Sequence, residues 1–418
     1  MEISLRHQNP VNLSNLVGKW EAQMGGSRIN KIPIWKSSRM RARKGNLVVA
    51  ASKKAKKELE GVSDELNAIA AQNKDSSAAR RRVRSAFTHT QQQLDHLLFK
   101  VPLPLSPPIT DGSFWRPDGR GKQIAHPSSF LSYVVNSRGL EIFSKKWFPS
   151  PEVPIKGALF FCHGYGDTCT FFFEGIAKKI TASGYGVYAM DYPGFGLSDG
   201  LHGYIPSFDE MVDDVVEHYT NIKGRPEARD LPHFIFGQSM GGAVALKVHL
   251  KQPQDWDGVV LVAPMCKIAE DVLPPAPVLK LLTLMSKVLP QAKLFPQKDL
   301  AVLAFRDSMK RKMAYYNVIA YSDQMRLKTA VELLKTTRDI ESQVEKVCAP
   351  LLVLHGAADK VTDPLVSKFL YEKANSKDKT LKLYEEGYHS ILEGEPDDRI
   401  LEVLDDIISW LDSQSALK

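Results

Sequence analysis

The chain has 418 residues, of which 43% are hydrophobic and 25% are charged, as in an ordinary globular protein. No apolar run approaches the roughly 18 residues of a membrane-spanning helix. The net charge of +7 comes from the first 54 residues, and the slightly acidic remainder has no excess of positive charge for nucleic-acid binding. Four cysteines lack CxxC spacing and a partnering histidine pattern, which argues against a disulfide framework or zinc site and fits a reducing compartment; these are Cys162, Cys169, Cys266 and Cys348.

Residues 1–51 form a leader with few acidic residues and many Ser and Arg residues. The leader lacks the apolar stretch of a secretory signal, and its sequence VVAAS around Ala50 and Ala51 resembles a plastid processing site. We therefore predict a chloroplast transit peptide. The alternative is a disordered basic arm, on a cytoplasmic protein, that contacts acidic surfaces.

Residues 52–100 are predicted to form a helical arm, and the proline-rich residues 101–131 are predicted to form a linker. Within the arm, Arg80, Arg81 and Arg82 separate two stretches with apolar residues at helical spacing. We interpret the arginines as a solvated basic face, with a coiled coil or a docking role as alternatives. The apolar positions are Leu59, Val62, Leu66, Ile69, Val83, Phe87, Leu94 and Leu97.

Short apolar runs alternate with amphipathic helical stretches over residues 132–413. This alternation predicts an α/β domain whose mostly parallel sheet has helices on both faces. One helix starts with a capping box of Ser207 and Glu210, and its apolar face runs from Phe208 to Tyr219. The predicted strands are Ala158–Cys162, Gly186–Met190, Phe234–Phe236, Gly258–Val262, Leu351–Leu354 and Leu381–Tyr384.

The alternation stops over about residues 267–347, which contain clustered prolines and no convincing strand. This stretch is predicted to be a helical insertion that forms either a cap over a site or additional helical packing. Its apolar helix at residues 278–289 contains two lysines, so we do not expect it to cross a bilayer.

The sequence HFIFGQSMGG at residues 233–242 places Ser239 between an apolar strand and a helix, with Gly237 and Gly241 on either side. A strand, a tight turn, a serine and a helix form a nucleophile elbow, in which the turn holds the hydroxyl above the sheet. An ordinary turn is the alternative when the Gly-x-Ser-x-Gly pattern is considered alone.

A serine hydroxyl needs a base to become a nucleophile, and the base needs a group that orients it. Asp359 and His389 follow Ser239 in the order in which many serine hydrolases carry their triad, and each follows a predicted strand. Because the carboxyl ends of parallel strands share one edge of a sheet, we expect the three side chains to converge.

A tetrahedral intermediate also needs two N–H groups that stabilise its negative oxygen. One expected donor is the N–H of Met240, which directly follows the serine at the helix N-terminus. The other is expected to be the N–H of Tyr165, in the loop HGYGD after an earlier strand. A general-base pair of His163 and Asp167 in the same loop is a weaker alternative, because only their spacing supports it.

Six ordered motifs resemble those of the plant monoacylglycerol lipase family of α/β-hydrolases, which also contains lysophospholipase-like members and caffeoyl shikimate esterases. The motifs are HGYGD, DYPGFGLSDG, GQSMGG, LVAPMCKI, HGAADKVTDP and YHSILEGEPDD. The resemblance covers about residues 130–413 and implies an α/β-hydrolase fold with a helical cap; Ala357 stands where the family commonly has Glu. It implies Ser239 as nucleophile, His389 as base, Asp359 as its orienting carboxylate, and Tyr165 and Met240 as oxyanion donors.

The residues and the resemblance together predict a serine carboxylester hydrolase that cleaves monoacylglycerol or a related lipid monoester through an acyl-enzyme. No metal or organic cofactor is implied. The alternatives are a hydroxycinnamate ester or a lysophospholipid as substrate, acyl transfer to another alcohol, and a non-catalytic hydrolase-fold protein that binds a ligand. Ser239 disfavours dehalogenase and epoxide hydrolase chemistry, which both need an aspartate at this position.

The apolar residues of the cap helix are predicted to line an acyl tunnel, with packing against the sheet as the alternative. The same helix leads us to expect transient contact with a membrane surface, where such lipids are found. We expect a small amphipathic ester as substrate and no nucleic-acid partner, and the oligomeric state stays open. The cap residues are Val278, Leu279, Leu281, Leu282, Leu284 and Met285.

Overall fold

A single sheet is formed by β1 (Ser128–Val135), β2 (Glu141–Phe148), β3 (Gly157–Cys162), β4 (Tyr185–Met190), β5 (His233–Gln238), β6 (Gly258–Val262), β7 (Leu351–Gly356) and β8 (Lys379–Tyr384). The structure, a computed structural model, describes residues 64–89, 128–268, 275–294 and 300–417. The eight strands lie in the spatial order β1-β2-β4-β3-β5-β6-β7-β8. Strands β3 to β8 run parallel, whereas β2 pairs antiparallel with both β1 and β4.

The predicted mostly parallel sheet is therefore confirmed, and each of the six predicted strands lies within one of β3 to β8. Every residue of β3, β4, β6 and β7 is buried. Strands of a parallel sheet have both faces covered by helices, so they appear in the sequence as continuous apolar runs. This is why these strands could be recognised.

The hairpin of β1 and β2 is the part of the sheet that the sequence did not predict. Lys145 and Lys146 interrupt the apolar pattern of β2. In β1, at the edge of the sheet, Phe130 and Leu131 are consecutive and both exposed, so no alternation of apolar and polar residues marks the strand. Because β1 begins at Ser128, the sheet starts before the predicted domain boundary at residue 132.

Eleven α-helices lie in the described residues: α1 (Asp64–Ala70), α2 (Ser77–His89), α3 (Phe172–Ala182), α4 (Phe208–Lys223), α5 (Met240–Lys251), α6 (Ala276–Val288), α7 (Leu300–Ala304), α8 (Ser308–Ala314), α9 (Leu327–Gln343), α10 (Pro364–Lys373) and α11 (Asp397–Ser415). Helices α4, α5 and α10 pack on one face of the sheet, in a core with Phe160 and Val259. Helices α3 and α11 pack on the other face, in a core with Phe161 and Val260. Neighbouring strand residues thus point into opposite cores, as the two-residue period of a strand requires.

One of the two hydrogen bonds of the predicted capping box is present at the start of α4. The Ser207 side chain accepts a hydrogen bond of 3.3 Å from the Glu210 N–H. The helix begins at Phe208, as predicted, and extends beyond Tyr219 to Lys223. The cap therefore satisfies one of the N–H groups that would otherwise lack a partner at a helix N-terminus.

The predicted solvated basic face of the arm is wrong for its first arginine. Helix α2 carries Arg80, which is fully buried together with Val83, whereas Arg82 is exposed. A guanidinium can be buried when carbonyl oxygens accept from its N–H groups, and carbonyls of Gly196 and Ser198 do so here. The predicted leader, linker and outer parts of the arm lie outside the described residues, as do Leu59, Val62, Leu94 and Leu97.

The insertion predicted at about residues 267–347 lies between β6 and β7 and contains helices α6 to α9 in its described part. No strand occurs there among the described residues; the only β-type pairing outside the strands is an isolated bridge between Lys293 and Arg326. Helix α6 packs against α9. Across the four described ranges, no helix has both the length and the apolar character needed to cross a membrane.

Candidate active site

Ser239 is the single residue between strand β5 and helix α5, and its backbone has φ 54° and ψ −119°. A positive φ is strained for a residue other than glycine. A Cβ atom on Gly237 would lie 2.3 Å from the Gly241 carbonyl oxygen, and one on Gly241 would lie 1.9 Å from the Cys162 carbonyl oxygen. The two glycines are therefore required because neighbouring backbone occupies the space of a side chain. The turn has the form of a nucleophile elbow.

His389 and Asp359 come together with Ser239 at the predicted edge of the sheet. His389 Nε2 lies 2.9 Å from Ser239 Oγ, and His389 Nδ1 lies 2.7 Å from Asp359 Oδ2. Since a carboxylate can only accept, Nδ1 carries a proton and Nε2 is free to accept the hydroxyl proton. His389 is thereby placed within hydrogen-bond reach of the Ser239 hydroxyl, and Asp359 fixes the orientation of its ring.

Two side chains that the sequence analysis did not single out also contact Asp359. His355 Nε2 lies 2.9 Å from Asp359 Oδ2, and the Thr362 hydroxyl donates to the same oxygen at 2.8 Å. His355 Nδ1 lies 2.7 Å from Ser367 Oγ. Because His355 Nε2 must donate to the carboxylate, Nδ1 accepts from the serine, which fixes the tautomer of His355. The motif HGAADKVTDP contains both residues, so the signal was present in the sequence.

The electrostatic state of Asp359 follows from these contacts. Burial alone raises the pKa of Asp359, but hydrogen bonds from His355 and His389 outweigh it, and the pKa falls well below its usual range. The N–H groups of Val361 and Thr362 donate to the other carboxylate oxygen at 2.7 and 3.1 Å. Asp359 is therefore ionised and held rigidly at neutral pH.

The two expected oxyanion donors have free N–H groups. Within the described residues, no protein acceptor is found for the N–H of Tyr165 or of Met240. Met240 is the first residue of α5, where an N–H has no partner within the helix. The loop of Tyr165, residues 163–170 (the β3 loop), passes close to the serine, because a Cβ atom on Gly164 would lie 3.5 Å from Ser239 Cβ.

His163 does not have the contacts of a general base. Its Nδ1 lies 2.8 Å from the Gly164 carbonyl, and its Nε2 accepts from the Tyr192 N–H at 3.3 Å. Its ring stacks on the Tyr192 ring at 4.0 Å, and burial lowers its pKa. Both nitrogens are occupied, so the alternative pair of His163 and Asp167 gains no support from the geometry.

Asp167 belongs instead to a second group of titratable residues beside the site. Burial raises the pKa of Asp167, and the charge of Asp191 adds to this effect. Glu393, in the loop after β8, is 6% exposed, and burial and the charge of Asp167 raise its pKa well above its usual range. The pair therefore keeps a proton at pH values at which isolated carboxyl groups are ionised.

The six apolar residues predicted for the cap tunnel divide into two sets. Leu281 and Leu284 are 48% and 62% exposed, so they do not line an enclosed tunnel, and for them the expectation is wrong. The helical period of 3.6 residues turns these two positions away from the remainder of the chain. Val278, Leu279, Leu282 and Met285 are half-buried. In the described ranges, no group of three or more His, Cys, Asp and Glu side chains is arranged to hold a metal ion.

Comparison with known proteins identifies relatives of the region that contains these residues. The family model described as Hydrolase_4, "Serine aminopeptidase, S33", matches residues 153–397. Caffeoylshikimate esterase of Arabidopsis thaliana is 34% identical over 284 residues, which are 68% of this chain and 85% of that protein. Monoglyceride lipase of Homo sapiens is 31% identical over 294 residues, which are 69% of this chain and 93% of that protein.

Two solved structures resemble the fold. The monoacylglycerol lipase of Paleococcus ferrophilus superposes with a TM-score of 0.56 at 26% identity, covering 66% of this chain and 99% of that chain. A soluble variant of monoglyceride lipase from Saccharomyces cerevisiae, in complex with a substrate analogue, superposes with a TM-score of 0.61 at 20% identity, covering 70% of this chain and 97% of that chain. The second likeness concerns the fold alone.

Proposed function

We infer the reaction of this chain from its family: it belongs to the Hydrolase_4 (serine aminopeptidase S33) family of α/β-hydrolases. Because its relatives are named esterases and lipases, the chain is a carboxylic ester hydrolase. The observation that supports the proposed mechanism is the hydrogen-bonded series from Ser239 through His389 to Asp359.

In the proposed acylation step, Ser239 Oγ attacks the ester carbonyl carbon while His389 Nε2 takes the hydroxyl proton. Asp359 holds the His389 ring and stabilises the imidazolium that forms. The bond to the leaving alcohol then breaks as His389 returns the proton to the alcohol oxygen, which leaves an acyl-Ser239 ester. In deacylation, His389 Nε2 takes a proton from water as the water oxygen attacks the acyl carbon. The bond from that carbon to Ser239 Oγ then breaks as His389 returns the proton to Oγ, which releases the acid and regenerates Ser239.

The proposed stabilisers of the tetrahedral intermediates are the N–H groups of Tyr165 and Met240. Both N–H groups are free of protein acceptors in the described part of the chain. The position of Met240 at the N-terminus of α5 adds the positive end of the helix dipole. Loss of one such donor lowers kcat by about 10²- to 10³-fold in enzymes of this type.

The proposed substrate is a monoacylglycerol or a related lipid monoester. The human and Paleococcus ferrophilus relatives, which are named as lipases of this kind, support that substrate class. The relative named caffeoylshikimate esterase supports a second candidate, a hydroxycinnamate ester. The exposed apolar side chains of α6 favour the lipid, since a soluble aromatic ester needs no such surface.

The test uses the full chain, a Ser239→Ala control, and three substrates at matched concentration: a 1-monoacylglycerol, a lysophosphatidylcholine and caffeoyl shikimate. We expect the monoacylglycerol to be hydrolysed fastest and the Ser239→Ala protein to hydrolyse none of them. Faster turnover of caffeoyl shikimate would assign the second candidate. Absence of all three activities in folded protein, together with no labelling of Ser239 by a fluorophosphonate, would favour a ligand-binding protein.

We also propose that the cap touches lipid surfaces transiently. Leu281, Leu284 and Val288 are 48%, 62% and 74% exposed on α6. Apolar side chains on one helix face enter the interface of a bilayer. Leu281→Asp and Leu284→Asp should lower activity on vesicle-bound substrate while leaving activity on a soluble short-chain ester unchanged. Thr283→Asp adds the same charge on the same helix and serves as the control; equal vesicle activity in all three variants would argue against the contact.

A chloroplast location is proposed for the protein, with residues 1–51 as the transit peptide. The acid-poor, Arg- and Ser-rich composition of this leader supports the assignment. A fluorescent protein fused after residue 418 of the full chain should enter chloroplasts, and the same fusion without residues 1–51 should stay outside. Equal distribution of the two fusions would contradict the assignment.

A further inference from the structure

The buried Arg80 of α2 joins the helical arm to a loop that follows strand β4. This β4 loop consists of residues 191–204. Arg80 Nε donates to the Gly196 carbonyl, and Nη2 donates to the carbonyls of Ser198 and Gly200 at 2.7 and 3.4 Å. A buried guanidinium with its donors aimed at three carbonyls of one loop fixes the conformation of that loop.

The β4 loop in turn holds the β3 loop, which carries the proposed oxyanion donor Tyr165. Asp191 is fully buried; its Oδ1 accepts from the Cys169 N–H at 2.7 Å, and its Oδ2 accepts from the Leu197 N–H at 2.8 Å. Cys169 belongs to the β3 loop and Leu197 to the β4 loop. The Asp191 carboxylate therefore connects the two loops. Burial lowers the pKa of Arg80 to about 10, and the negative charge of Asp191 opposes that fall.

A second route connects the arm with the β3 loop through the cap. The Asp75 carbonyl accepts from the His202 N–H at 2.9 Å, and the Asp75 side chain accepts from Arg326 Nη2 at 2.8 Å. The His202 ring packs edge-on against the Tyr321 ring at 5.0 Å. The Tyr321 N–H donates to the Gly166 carbonyl of the β3 loop at 2.6 Å. Both routes start in residues 75–80 and end in the β3 loop.

We propose that Arg80 is a positioning residue for the hydrolase reaction, which acts through the β4 loop and Asp191 to hold the β3 loop and its oxyanion donor in place. This role rests on the proposed function, because it assigns the Tyr165 N–H to the oxyanion. The arm lies outside residues 153–397, which the family model matches.

The neighbouring residue provides a matched control. Arg82 lies on the same helix and is exposed. Arg80→Met removes the donors of the buried guanidinium and keeps a long side chain, whereas Arg82→Met removes the same charge at the surface. Arg80→Lys keeps the charge but has one nitrogen in place of the planar fork that reaches three carbonyls.

The experiment measures kcat and KM per active site, titrated with a fluorophosphonate, and the hydrogen exchange of the peptide covering residues 163–170, all in the full chain. We expect Arg80→Met to lower kcat by about 10-fold or more with KM within about twofold, and to speed exchange of that peptide. Arg80→Lys should show the same changes to a smaller extent. Arg82→Met should match the parent protein in all three measurements.

If Arg80 has only a structural role, Arg80→Met will lower the melting temperature but leave kcat and the exchange of residues 163–170 at the values of Arg82→Met. That result would overturn the positioning role. If Arg80→Met does not fold, Arg80→Lys decides by the same two readouts. If the parent protein hydrolyses no ester, the proposed function fails, but the exchange measurement still tests the connection between Arg80 and the β3 loop.

Discussion

Gly241→Ala is expected to damage the active site far more than an ordinary glycine substitution. A Cβ atom at this position would lie 1.9 Å from the Cys162 carbonyl oxygen, whereas real Cβ contacts begin at about 3.0 Å. The start of helix α5 or the end of strand β3 must therefore move by about 1 Å. The Met240 N–H lies at the start of that helix, so the movement displaces a proposed oxyanion donor.

The size of the effect follows from this displacement. A misplacement of about 1 Å at a reacting centre costs about 10²-fold in rate, which corresponds to about 2.7 kcal/mol of transition-state stabilisation. Separately, the overpacked backbone contact lowers the free energy of unfolding by about 1–3 kcal/mol. We therefore expect kcat to fall by about 10²-fold per active site and the melting temperature to fall as well.

The assay measures three quantities for Gly241→Ala and for the control Gly224→Ala: kcat on a monoacylglycerol, the active fraction titrated with a fluorophosphonate, and the melting temperature. A Cβ atom on Gly224 would meet its nearest atom, the Thr220 carbonyl oxygen, at 3.7 Å, so this control substitution fits without displacement. Gly224→Ala should keep parental kcat. A Gly241→Ala enzyme with kcat within threefold of the parent, on the order of 0.6 kcal/mol, would show that the substitution does not displace the Met240 N–H.

Three further predictions concern named side chains. Asp359→Asn should lower kcat by about 10⁴-fold with little change in KM, because it leaves His389 without the acceptor that fixes its tautomer; a loss under 10-fold in steady-state kinetics would contradict this. Glu393→Gln should stabilise the protein more at pH 8 than at pH 4 in thermal unfolding. Because the pKa of Glu393 is raised in the folded state, its carboxyl group costs stability as the pH rises above the unfolded-state pKa of about 4.3. An equal gain in stability from Glu393→Gln at both pH values would contradict this. Ser207→Ala should destabilise the protein by about 1 kcal/mol in urea unfolding and Ser207→Asp should not; equal stability of both would contradict a capping role.

The sequence was informative where one periodic pattern dominates. Strands β3 to β7 are buried, so apolar runs such as those of β3 and β6 could be read without tertiary information. The convergence of Ser239, His389 and Asp359 followed from a general rule, because each of these residues follows a strand whose carboxyl end lies at the same edge of the parallel sheet. The motif and the rule together were sufficient to predict the geometry of these three side chains.

The sequence was uninformative where a residue depends on a distant partner. The three consecutive arginines of α2 look alike in the sequence, yet Arg80 is buried and Arg82 is exposed, because only the former meets carbonyls more than a hundred residues away. His355 is a different case: it stands four residues before Asp359 in the motif HGAADKVTDP, but its hydrogen bond to Asp359 leaves no periodic signal, and the sequence analysis did not single it out. Strand β2 was not recognised because two lysines interrupt its apolar pattern. Whether a strand can contain a charged residue depends on the neighbours that cover that position, which the sequence does not show.

The position of the insertion has a consequence for how this fold can diversify. The chain leaves the sheet after β6 and returns at β7, and these two strands are adjacent and directly paired, from Val259 opposite Leu351 to Val262 opposite Leu354. The intervening segment can therefore lengthen, shorten or be replaced without separating a single strand pair. Ser239 precedes this segment, whereas Asp359 and His389 follow it. Selection can therefore exchange this segment while the strands that carry Ser239, Asp359 and His389 keep their pairing.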